Sequence, residues 1–160
     1  MAEPNDKYDV SLENIFKEKR SDVIDMFNNI ERRVVETIVS YFCDTSISGG
    51  PWEKLFETLY SAKLPFSVKL HFMKKIPITK KYMGLINKLR KFSEIRNMIV
   101  HSLRHIGKTE LYLIGRKKID FFKEYDNFKK LFKELWEIFG EIAVDQEHKG
   151  KMVYYDSWIK

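Results

Sequence analysis

Residues 96–101 read RNMIVH, setting Arg96 beside Asn97 and His101 four positions further on, in a segment otherwise made of Ile95, Met98, Ile99 and Val100. These polar types suit phosphate chemistry. Imidazole titrates near neutrality and can take or give a proton, a guanidinium offers a planar fork of donors to phosphate oxygens, and a side-chain amide can orient either group. Among apolar neighbours such groups are costly unless something pairs with them or uses them. Two explanations stand. In the structural one, Arg96 pairs with a buried carboxylate and His101 packs or caps; in the functional one, both face a ligand.

Other chemistries find less support. His101 and His105 are four apart, a spacing that can hold a metal, but no third ligand lies at a recognisable offset, so neither a metal nor a cofactor is expected. Cys43 has no CxxC partner and no flanking base, which makes an inert thiol. There is no phosphate-cradling glycine loop and no serine-centred nucleophile motif. A chain of 160 residues, 44% hydrophobic, fits one domain able to bury a core without disulfides or metals. Its single cysteine, and an opening stretch MAEPNDKYDV with neither a basic nor an apolar region, point to the cytoplasm. No apolar run approaches the roughly 18 residues of a membrane span, so no membrane partner is expected. A net charge of +6 and a pI near 9.2 are compatible with a polyanionic partner and by themselves weak evidence for one.

The elements that must carry RNMIVH are helical. Only 7 glycines and 4 prolines occur, and apolar residues recur at spacings of three and four, the pattern of an all-α antiparallel helical bundle. A first helix is expected over about Ser21 to Cys43, with Val23, Phe27, Ile30, Val34, Ile38 and Tyr41 on one face and DTSISGGP as its stop. Pro51 opens a second, whose apolar side is Trp52, Leu55, Phe56 and Leu59; FSVKLHFMKKI makes a third. Thr79 as a cap and Gly107 as a terminator bound a long motif helix at roughly residues 80 to 105. Within it, KKYMGLINKLRK reads as a solvated face and not a membrane-surface helix, because the core needs its apolar positions. Alternation around Leu111 and Leu113 before Gly115 suggests a short hairpin or extended loop over 109–118. Asp120 then caps a final helix carrying Phe121, Tyr125, Phe128, Phe132, Leu135, Phe139 and Ile142. The organisation expected is a polar segment over 1–18, the bundle over 19–144, and a tail over 145–160 whose Tyr154, Tyr155 and Trp158 dock on a surface.

On an ideal wheel of about 100° per residue, Arg96 falls within the stripe of Tyr82, Leu85, Leu89, Phe92, Ile99 and Leu103. Asn97 and His101 share another face with Arg90 and Arg104. Because Arg96 and His101 then diverge by about 140° on that wheel, one straight helix does not bring them to one atom. A second copy across a two-fold axis, or a distortion of the helix, would.

The RNMIVH run, with its apolar lead-in LINKLRKFSEI, late in a bundle and before another long amphipathic helix, resembles the R-x4-H signature of the HEPN superfamily, in which Asn is favoured directly after the Arg. The resemblance covers about residues 21 to 143. It implies an all-α fold and a homodimer whose two motif helices meet in a cleft lined by Arg96 and His101 of both chains. It also implies metal-independent cleavage of RNA by attack of the ribose 2′-hydroxyl on the adjacent phosphate. The residue chemistry suits this: Asn97, one helical turn away, is expected to orient His101, and Arg90 and Arg104 to bind flanking phosphates. A role as a toxin or antiviral defence effector, with an antitoxin or other regulatory protein as partner, comes with the resemblance. Where HEPN toxins paired with a minimal nucleotidyltransferase carry an AMP-accepting tyrosine, two residues after the motif His, this chain has Leu103, so silencing by that modification is not expected. Many HEPN domains are noncatalytic. The alternative is therefore a homodimeric helical module that binds nucleic acid, a nucleotide or a protein.

Overall fold

The structure is a computed structural model that describes residues 6–43, 50–61, 63–104, 111–112 and 118–147. Helices α1 (Asp6–Phe42), α2 (Pro51–Tyr60), α3 (Phe66–Met73), α4 (Ile78–Lys81), α5 (Leu85–His101) and α6 (Phe121–Glu147) form an all-α bundle. Between α5 and α6 lie three two-residue strands, β1 (Leu103–Arg104), β2 (Leu111–Tyr112) and β3 (Lys118–Ile119). They pair antiparallel in the order β1-β2-β3, with Leu103 opposite Tyr112 and Leu111 opposite Ile119. The extended segment thus begins at Leu103, earlier than the 109–118 expected. The tail residues Tyr154, Tyr155 and Trp158, and also His105 and Gly107, lie outside the described residues.

α1 is the centre of the bundle. From Val34 to Ser40 its side chains are buried on every side except at Glu36, which is held at the boundary by Arg32 (Nε to Oε1, 2.9 Å) and Arg33 (Nη1 to Oε2, 3.1 Å). A helix buried all round must be covered on all sides, and α2, α3, α5 and α6 each pack on α1. The helix also starts earlier than the periodicity from Ser21 suggested. Phe16 is buried and meets Phe121 of α6 edge-on at 4.7 Å, so the charge-rich opening stretch is recruited to the core by that ring. Phe27 of α1, Phe92 of α5 and Phe128 of α6 stack in a column, at 5.8 Å and 4.1 Å between successive centroids.

The motif helix is shorter at both ends than 80–105. Gly84 adopts φ +83°, a left-handed conformation that separates α4 from α5 and that glycine reaches without steric cost. Thr79 does not cap; its hydroxyl donates to the Ile76 carbonyl at 2.7 Å. At the other end α5 stops at His101, and Leu103 and Arg104 continue on β1, so Leu103 is off the helical stripe and Arg104 off the face of Asn97. Asp120 does cap α6, its Oδ1 accepting from the Lys123 backbone N–H at 3.1 Å.

Polar ties fix the remaining helices. Lys81 Nζ and the Tyr82 hydroxyl both donate to Asp145 Oδ2 near the end of α6, at 2.5 Å and 3.1 Å, and Lys88 pairs with Glu134 across α5 and α6. Lys69 of α3, only 1% exposed, donates to Glu31 of α1 at 2.7 Å.

Candidate active site

α5 owes its orientation to Leu85, Leu89, Phe92, Ile95 and Ile99, all buried and spaced by three or four. Arg96 lies at the edge of that stripe, half-buried. Its guanidinium carbon is 5.0 Å from the centroid of the Phe27 ring, and its Nη1 donates to Asn97 Oδ1 at 2.9 Å. Its Nε is buried and has no acceptor. Among the described residues no carboxylate pairs with Arg96, so the structural explanation by a buried ion pair does not hold. An aromatic face takes its place, a favourable seat for a guanidinium that leaves the fork free of any anion.

Asn97 and His101 are both exposed, one turn apart on α5, and Arg90 is exposed further back along the helix. Asn97 is bonded to Arg96 and not to His101. His101 is the last helical residue, and the chain turns away at Ser102, which is buried. The structure therefore brings Arg90, Arg96, Asn97 and His101 onto one helix, links the middle pair directly, and leaves Arg104 on β1.

The residue missing from the sequence reading is Arg20 of α1. Its Nε donates to the Ile99 carbonyl at 3.2 Å, and its Nη2 donates to the Ser102 carbonyl at 2.6 Å and to Ser102 Oγ at 3.3 Å, while Ser102 Oγ donates to the Ile99 carbonyl at 2.8 Å. The last carbonyls of a helix lack intrahelical partners, and here a guanidinium from a distant helix satisfies them on both sides of His101. Burial pushes the Arg20 pKa below its ordinary value. Two residues on, Asp22 accepts from the Tyr125 hydroxyl of α6 at 3.0 Å, and the Lys19 ammonium lies 4.3 Å over the Tyr125 ring. Burial, and then the Asp22 carboxylate, raise the Tyr125 phenol to about 12. One turn of α1 thus holds both the end of α5 and the start of α6.

Protein-family models, curated proteins and solved structures gave no match to this chain. Among the described residues no three His, Cys, Asp or Glu side chains group as metal ligands, and no helix is long and apolar enough to cross a membrane. What the end of α5 offers is an exposed imidazole, an exposed amide and a guanidinium whose only polar partner among the described residues is that amide. Such a set can move a proton and hold an oxyanion.

Proposed function

We propose that the chain is a metal-independent endoribonuclease of the HEPN kind, and that two copies complete its site. The observation that carries this reading is Arg96. It sits on an aromatic ring beside an exposed Asn97 and one turn before an exposed His101, and no carboxylate among the described residues neutralises it. In the proposed reaction His101 accepts the proton of a ribose 2′-hydroxyl as that oxygen forms its bond to the adjacent phosphorus. The bond from phosphorus to the 5′ oxygen breaks, and the leaving oxygen takes a proton from the imidazolium of the second copy. The products are a 2′,3′-cyclic phosphate and a 5′-hydroxyl. Arg96 holds the phosphoryl oxygens as charge gathers on them, and Arg90 and Arg104 engage flanking phosphates.

The packing of Arg96 on Phe27 also favours a second reading, in which Arg96 is a packing residue of a noncatalytic binding module. Purified protein incubated with single-stranded and structured RNA in EDTA separates the two. Cutting that leaves cyclic phosphate ends is expected from the wild type, with a loss of about 10² to 10⁴ in rate for His101→Ala at an unchanged melting temperature. Arg96→Ala is expected to lose cutting as well, and in addition to shift stability by about 1 to 3 kcal/mol, because it removes packed methylenes along with the charge. A wild type that cuts no RNA, or a His101→Ala protein that cuts equally well, sinks the ribonuclease reading.

A further inference from the structure

The basic excess of this chain has one source. From Thr58 to Ser93 there are nine lysines and arginines and no aspartate or glutamate, while the remaining 20 basic residues are outnumbered by the 23 acidic ones. Three of the nine are neutralised by carboxylates from other helices: Lys69 by Glu31, Lys81 by Asp145 and Lys88 by Glu134. Lys63, Lys74, Lys75, Lys80, Arg90 and Lys91 are exposed, and among the described residues no carboxylate forms an ion pair with them, Lys91 adding only a longer-range attraction to Glu134.

The central lysines stand on a firm base. Lys74, Lys75 and Lys80 follow one another on successive turns linking α3 to α4, closed by backbone bonds from Lys74 to Leu70 (3.1 Å), Lys75 to Phe72 (2.9 Å) and Lys80 to Pro77 (3.0 Å). Buried Leu70, Met73, Ile76 and Thr79 anchor those turns in the core. Beside the lysines, Phe72 is 39% exposed and offers a ring face. Past Gly84 the same charge continues onto α5 at Arg90, on the helix that ends at His101.

We infer that Lys74, Lys75 and Lys80, with Phe72, form a docking track for the backbone of a single-stranded RNA, continued by Arg90 toward the end of α5. Unneutralised lysines on a rigid surface bind phosphates without reading sequence, and an exposed ring beside them stacks a base. An anionic membrane is the weaker fit. A helix lying in a bilayer surface must free its apolar face, and here most apolar residues of these turns are spent in the core, leaving Val68 and Phe72, one turn apart on α3, and Met83 exposed, too few for such a face. The choice of RNA as the polyanion rests on the ribonuclease reading, but the track is tested by binding and not by cutting.

The probe is a fluorescein-labelled 2′-O-methyl RNA, which has no free 2′-hydroxyl to attack, titrated by anisotropy at several salt concentrations. Against the wild type, the triple variant Lys74→Glu, Lys75→Glu, Lys80→Glu is expected to bind at least about tenfold more weakly, with a salt slope shallower by about 2, the value for three lost single-strand contacts. Lys→Gln at the same three positions should fall between the two, and all three proteins should melt alike, since the altered side chains are exposed. Phosphatidylcholine vesicles with and without phosphatidylserine form the control. Unchanged RNA affinity and slope in both triple variants, or lysine-dependent binding to the anionic vesicles in place of the RNA, overturns the track. If the lysines govern binding but natural RNA is never cut, the track stands and the ribonuclease reading falls. Cutting with lysine-independent binding gives the reverse.

Discussion

Arg96 and Lys69 show two solutions to the same problem, a long cation brought against a core. Arg96 keeps its charge at the boundary by lying on Phe27, whereas Lys69 goes inside and takes Glu31 with it. A buried ion pair gains attraction but loses hydration, so replacing it by well-packed apolar atoms is often neutral, while removing one partner leaves a buried charge uncompensated. Replacing the whole pair, Lys69→Met with Glu31→Leu, is accordingly expected to change stability by less than about 1.5 kcal/mol, the range for a swap of similar volume. Glu31→Ala should cost about 3 to 5 kcal/mol. Urea denaturation of both variants checks the asymmetry, and equal losses would show that the pair is a net source of stability. The seat of Arg96 was only half legible in the sequence. Helical spacing placed it on the apolar stripe, but the ring that receives it, Phe27, is on another helix and no local pattern names it.

At the level of elements, the end of α5 depends on α1. Three hydrogen bonds from the Arg20 guanidinium tie the carbonyls of Ile99 and Ser102 and the Ser102 hydroxyl. Bonds to a charged group are worth about 1.5 to 3 kcal/mol, and their loss leaves acceptors unsatisfied, so Arg20→Ala should destabilise by about that much or slightly more. Its effect should be local as well, seen as faster hydrogen exchange at the amides of Ile99 to Ser102. Arg20→Lys, with the charge but no fork, should recover only part. Exchange unchanged in Arg20→Ala would mean that α5 ends where it does for other reasons. Arg20 could not be read from the sequence, because it lies some eighty positions from its partners and sits among ordinary surface charges. The helices themselves were legible where apolar spacing and punctuation agree, as at Pro51 for α2 and Asp120 for α6. They depart from the apolar spacing where a second signal overrides it: Thr79 has the type of a cap but bonds back to Ile76, Gly84 inside KKYMGLIN breaks a helix that the spacing continues, and Phe16 stands among charges yet packs on Phe121.

For the molecule as a whole, the proposed site demands a second copy. Arg96 and His101 leave α5 in different directions, and among the described residues the end of α5 presents one imidazole to a reaction in which one proton is taken and another delivered. Light scattering at micromolar concentration is expected to give about twice the 19.2 kDa of one chain. A monomer with and without RNA would remove the basis of the two-copy mechanism, although the lysine track would be untouched. The burial of α1 on nearly every side from Val34 to Ser40 has a separate consequence, for synthesis. The ribosome makes the innermost helix first and the helix that closes over it last, the Asp22 to Tyr125 bond alone spanning 103 positions. Between the end of α1 and the end of α6 lie 105 residues, about 5 to 20 s of translation at about 5 to 20 residues per second. For that interval Val34, Ile38 and their neighbours have no finished bundle to enter, so the nascent chain exposes the part of α1 that is buried on nearly every side until α6 has been made. Slowing translation between α5 and α6 should therefore increase aggregation or chaperone capture of this protein far more than slowing it after α6.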